Sequence, residues 1–153
     1  MAGVLLAEHV PGLQVTTSGT HVIEGLPMSW RTADAIRSLG LEPPAHRSRQ
    51  ATAAELDAAD LVIAAAHDHV RWMRRVHPAA AARTGTLKRL ARDLEAADAG
   101  PFAERVARLG LADVVLGPDE DVVDPAGGDV DVFVETAAEI AECVHVLAPR
   151  LVP

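Results

Sequence analysis

One cysteine, Cys143, no tyrosine and an aromatic content of 3% set the first limits on this 153-residue chain. A lone thiol forms no internal disulfide, and it excludes multi-cysteine zinc sites and any mechanism that resolves an oxidised thiol against a second internal one. A reducing compartment is the expectation. So few aromatics exclude stacking platforms for nucleic-acid bases. Basic charge is also scarce: 14 Lys and Arg stand against 22 Asp and Glu, a net charge of −8, so no broad cationic field attracts nucleic acid. The one basic cluster, Arg71, Arg74 and Arg75, falls in an expected helix and reads as a solvated polar face. No apolar run approaches the ~20 residues of a membrane span. The amino terminus also lacks a basic n-region followed by an apolar stretch. These absences together predict a cytoplasmic protein that engages neither membrane nor nucleic acid.

What is present, 49% apolar and 24% charged residues, fits a single α/β domain over residues 1–153. A domain of this size buries roughly 68–70% of its unfolded surface and needs no metal or disulfide to be stable. Residues 2–10 read as a short helix ended by Pro11 and Gly12. Residues 13–17, LQVTT, alternate and are β-rich, which predicts a strand closed by a Ser18-Gly19-Thr20 turn. Thr32 is placed to cap a helix over 33–39, with Gly40 in the left-handed stop position. Thr52 and Glu55 form a capping-box pattern that opens another helix.

The continuous apolar run 61–65, LVIAA, predicts a strand covered on both faces of a parallel sheet. A helix over 68–76, a short strand over 83–87 and helices over 88–96 and 102–109 follow. Residues 110–131 are rich in Gly, Pro and Asp and read as a surface loop of functional length. In 132–147, Phe133, Ala137, Ile140, Val144 and Leu147 recur at three and four to make one buried stripe. Strands alternating with helices predict a three-layer α/β fold, a parallel sheet flanked by helices.

The run from Thr17-Ser18-Gly19-Thr20 through Glu24-Gly25-Leu26-Pro27-Met28, Arg31 and His46-Arg47-Ser48-Arg49-Gln50 to Ala59-Asp60-Leu61-Val62-Ile63 carries a further message. Thr84-Gly85-Thr86-Leu87 and Asp124-Pro125-Ala126-Gly127-Gly128 complete it. In order and spacing these resemble the low-molecular-weight protein tyrosine phosphatases, along essentially the whole chain. The resemblance implies phosphomonoester or phosphotyrosine hydrolysis with no cofactor and no metal. In that family a central strand leads into a C-x5-R-[ST] loop. Its cysteine attacks phosphorus, while converging N–H groups and the arginine lower the thiol pKa and stabilise the trigonal-bipyramidal charge. An aspartate in a D-P motif protonates the leaving group and then activates water.

The resemblance implies Asp124 as that acid. It places Thr17 and His46 where relatives support the phosphate loop, and Arg31 at a recurrent arginine. Met1-Ala2 matches the two residues just beyond the family's loop, so neither the loop nor its strand is found in these 153 residues. Cys143 does not substitute, because the position that would hold the motif's arginine is Pro149. In the terminal helix it reads as a small core residue. After the D-P pair, Ala126, Gly127 and Gly128 stand where relatives often wall a phenol ring with aromatics, and Val22 and Ile23 offer only aliphatic contact.

Other signals are weaker. His67 and His69 diverge by about 200° on a helix and read as a solvated helix start. Asp119, Glu120, Asp121 and Asp124 form a loose acidic cluster without calcium-loop spacing. No Walker, dinucleotide or nucleophile-elbow motif occurs.

By the resemblance, the missing strand belongs between 13–17 and 61–65. Its loss opens a gap of about 10 Å, with unpaired backbone groups costing on the order of 1–3 kcal/mol each when buried. Three readings follow. The chain is an N-terminally truncated form of an active phosphatase, acting on a phosphorylated protein or small phosphomonoester once the loop is restored. Alternatively it is an inactive pseudophosphatase that dimerises or binds a partner chain through bared strand edges. The third is a different enzyme reusing the cleft with Asp124 or His46 as acid and base.

Overall fold

In the computed structural model, which describes residues 1–152, two short strands, β1 (Val62–Ala64) and β2 (Thr84–Thr86), run parallel. Val62 pairs with Thr84, Ile63 with Gly85 and Ala64 with Thr86. Seven helices surround them: α1 (Ala2–His9), α2 (Trp30–Ser38), α3 (Ala53–Ala58), α4 (His67–Val76), α5 (Leu87–Asp93), α6 (Phe102–Arg108) and α7 (Val130–Leu147).

The period of two along β1 sorts its side chains between two layers. Leu61 and Ile63 join a core built by Leu5 and Leu6 of α1, Leu87 and Leu90 of α5 and the α7 stripe. Val62 points the other way, to Leu56 of α3 and Trp72 and Met73 of α4. The result is the expected α/β arrangement, a small parallel sheet flanked by helices. All five stripe residues of α7 are buried, and that helix packs against α1, α2 and α5. Gly85 is a point of close approach: a Cβ there would sit 3.1 Å from Leu90 and 3.2 Å from Leu111.

Of the helix-end signals read from the sequence at Thr32, Gly40 and Thr52, two hold and one shifts. The Thr52–Glu55 capping box forms with both reciprocal hydrogen bonds, and Gly40 adopts φ 77° after α2. The α2 cap, however, is Ser29 rather than Thr32. The Ser29 hydroxyl accepts the Thr32 N–H at 3.1 Å, and the helix starts at Trp30. Serine and threonine are near-equivalent caps, and Ser29, three residues earlier, takes the role expected of Thr32.

Residues 13–17 form no strand, contrary to the alternation. Leu13 and Val15 still pack on the main core, so the pattern correctly assigned the inward side chains. A strand also needs a neighbour to take its N–H and C=O groups, and the two-stranded sheet gives this segment none. Only beyond it does pairing begin, where Gly19 bridges Gln50. The same shortage shows in β1. Its apolar run was expected to be covered on both faces, yet Leu61, Val62 and Ile63 are only partly buried. β1 has a strand on one edge alone among the described residues.

Candidate functional site

The Ser18–Gly19 turn is strapped to the segment behind it by two backbone bonds. The Gly19 N–H donates to Arg49 O at 3.0 Å and the Ala51 N–H to Gly19 O at 2.9 Å. Arg49 reinforces the strap: its Nε donates to Thr17 O at 3.0 Å and its guanidinium pairs with Glu55 of the α3 capping box. That pairing holds the Glu55 carboxyl below the usual carboxylate range. The Ser48 hydroxyl accepts the Leu26 N–H at 3.0 Å and donates to Ile23 O at 2.5 Å, fixing the loop that faces the turn.

These segments and the start of α1 enclose an open groove of about 790 Å³, with Met1, Val15, Thr17, Gly19, Met28 and His46 among its walls. α1 begins at this groove with Met1 as its N-cap and no side-chain cap. Burial pushes the Met1 amino group below the ordinary α-amino range. Thr17 and His46, far apart in sequence, therefore meet in one groove.

Asp124 and Arg31 are not among the groove's lining residues. Asp124 is exposed, and its Oδ1 accepts the Ala126 N–H at 3.0 Å, a turn in which the side chain bonds its own backbone. Its loop reaches the C-terminal end of β1, where the Val122 N–H donates to Ala65 O at 2.8 Å. Ligands of open parallel sheets sit at such strand ends. Arg31 lies over the Trp30 ring at 5.0 Å, on the first turn of α2. Of His46 and Asp124, His46 lines the groove and Asp124 does not.

The acidic cluster read from sequence divides into separate roles. Glu120 is 3% exposed and accepts from Thr86 Oγ1 at 3.2 Å and Arg89 Nε at 3.0 Å. Asp121 accepts the His67 N–H at 2.6 Å. Asp119 is exposed. His67 is accordingly no solvated helix start: its side chain is 15% exposed and its Nδ1 lies 2.7 Å from Asp121 Oδ2. Nothing in local spacing announces a contact across 54 positions. The only sequence hint was negative, an alanine at the cap position of α4. Among the described residues no group of three or more His, Cys, Asp or Glu is placed to hold a metal ion. Among the described residues, too, no helix is long and apolar enough to cross a membrane.

Cys143 lies in α7, partly buried against the core. Burial first, and then the Glu139 carboxylate, push its thiol above the ordinary range, the opposite of an activated nucleophile.

No family model matches the chain. It is 28% identical over 152 residues to a protein-arginine-phosphatase of Geobacillus stearothermophilus, spanning 99% of this chain and 86% of that protein. It is also 28% identical over 90 residues to the probable low molecular weight protein-tyrosine-phosphatase EpsP of Ralstonia solanacearum, 59% of this chain and 60% of that one. Among solved structures, the YwlE arginine phosphatase from Geobacillus stearothermophilus superposes with a TM-score of 0.76 at 25% identity, covering 98% of this chain and 82% of that one. A low molecular weight protein tyrosine phosphatase from T. tengcongensis gives 0.75 at 22% identity, covering 98% and 88%, a likeness of fold. Sequence order, architecture and these relatives agree in likening the chain to the low-molecular-weight protein tyrosine phosphatases.

Proposed function

We propose that these residues form the body of a phosphatase for phosphorylated protein, silent in hydrolysis by themselves. The nucleophile comes from a cysteine-bearing strand and loop that is not among them. One observation carries the reading: the sole thiol sits in α7 with its pKa raised by burial and by Glu139, and no C-x5-R pattern accompanies it. In this scheme Asp124 is the general acid. Thr17 and His46 brace the phosphate loop from the groove they share, and Arg31 supports it from α2.

For the leaving group, phosphoarginine is the better fit. Ala126, Gly127 and Gly128 beside Asp124 offer no ring to stack on a phenol, and the relative matched along nearly the full chain is a protein-arginine-phosphatase. Hydrolysis breaks the P–N bond through a phosphocysteine. Asp124 gives its proton to the departing guanidine nitrogen and then takes one from the attacking water.

The test is turnover of an aryl phosphate and of phosphoarginine by the purified 153-residue chain. No turnover above the uncatalysed rate is expected. Turnover that disappears in Asp124→Asn overturns the reading. A version with a strand and C-x5-R loop ahead of Met1 is expected to hydrolyse both, with phosphoarginine favoured.

A second reading is a pseudophosphatase that pairs through its sheet edge. The open edge of β1 and the unpaired segment 13–17 favour it, since unpaired backbone recruits a strand from another chain. Light scattering decides: a concentration-independent monomer counts against it.

A further inference from the structure

Two adjacent carboxylates anchor the loop that bears Asp124, each to a different element. Glu120 is buried against Thr86 and Arg89 at the start of α5. Asp121 crosses to α4. Its Oδ1 accepts the His67 N–H at 2.6 Å and its Oδ2 lies 2.7 Å from His67 Nδ1. An ionised carboxylate only accepts, so Nδ1 is the donor. α4 has no cap of its own, because its N-cap residue is Ala66, and the first N–H groups of a helix otherwise lack partners. Asp121 therefore satisfies, from 54 residues away, the first of the orphan N–H groups of α4.

We propose that Asp121 is the positioning residue of the acid loop: by capping α4 and gripping His67, it clamps residues 122–124 at the end of β1. This rests on the reading of Asp124 as the acid. Three residues of chain span at most about 10 Å, so fixing Asp121 confines where the Asp124 carboxylate can go. The neighbouring tethers are longer. The Val123 N–H meets Glu139 Oε2 at 3.3 Å and the Thr136 hydroxyl donates to Val123 O at 3.4 Å. Between them lies the 2.8 Å bond from the Val122 N–H to Ala65 O, which the clamp holds in register. With alanine at the local cap position, the helix start and the acid loop share one interaction and are ordered together.

Amide hydrogen exchange on the 153-residue chain separates this from simple helix capping. In Asp121→Ala, the amides of Val122 and of residues 126–128 are expected to exchange about tenfold faster or more, together with the first turn of α4. Adding Ala66→Asp supplies a local cap. The double variant is expected to return α4 to wild-type protection while the loop amides stay fast. The proposal fails if the local cap restores the loop as well, if Asp121→Ala leaves loop protection unchanged, or if α7 accelerates equally with the loop. Exchange is read without turnover, so its outcome is independent of whether Asp124 donates the proton.

Discussion

Glu120 and Arg89 form a nearly dry ion pair: the glutamate side chain is 4% exposed, the arginine 16%, and Arg89 Nε donates to the carboxylate at 3.0 Å. The pair joins the loop ahead of Asp124 to the helix that covers the sheet, and Thr86, the cap of α5, donates to the same carboxylate.

Removing one member of such a pair strands the other without its partner. Glu120→Ala is expected to cost about 3 kcal/mol, read as a lowered urea midpoint with an unchanged slope. Combining it with Arg89→Met should recover part of the loss, because the uncompensated charge is then gone as well.

Arg105 is fully buried on α6. Its guanidinium donates to the carbonyls of Gly100, Glu95, Arg150 and Val152 at 2.8–3.2 Å, tying the end of the chain to the turn before α6. Arg105→Met leaves those carbonyls unpaired and is expected to cost about 2–4 kcal/mol. Arg105→Lys should recover only a fraction, since an ammonium lacks the planar fork that reaches separate acceptors. Thermal melts of the three proteins check the order.

Arg49 holds the Glu55 carboxyl below its ordinary range, with the Thr52 hydrogen bonds adding to the effect. A depressed carboxylate pKa contributes stability that is present above the unfolded value of about 4.3 and lost as pH falls through the folded value. The melting temperature of the wild type is therefore expected to converge on that of Glu55→Gln as pH is lowered from 6 to about 3. A difference that does not shrink with acid contradicts the assignment.

A thiol pKa raised by burial and by Glu139 leaves little thiolate at neutral pH. Cys143 should react with iodoacetamide at least several-fold more slowly than a free cysteine peptide at pH 7.5, and the rate should climb steeply toward pH 10. Rapid labelling at neutral pH would instead mark an activated thiol. Glu139→Gln should speed labelling modestly.

Helices were the most legible part of the fold, because their signals are local. The Thr52–Glu55 box, Gly40 and the α7 stripe all lie within a few residues of what they control. The strand expected over 13–17 failed for the converse reason. Its side chains obey the alternation, but strand formation depends on a neighbour that the segment itself does not encode. Of the site residues, Thr17 and His46 do share a groove. That meeting, like the Asp121–His67 clamp, is a product of long-range packing.

Taken alone, the sequence determined the α/β class, the order of the helices, the core stripe of α7, the family resemblance and the absence of a C-x5-R nucleophile from these residues. Those properties follow from residue identity and short-range periodicity. Tertiary structure alone decided that 13–17 stays unpaired and that the acids of the loop separate into a buried ion pair, a distant helix cap and an exposed carboxylate. It also placed Arg49 and Arg105 as ties between remote segments. Each of these is set by hydrogen-bond partners and burial tens of residues away, and no local pattern specifies them.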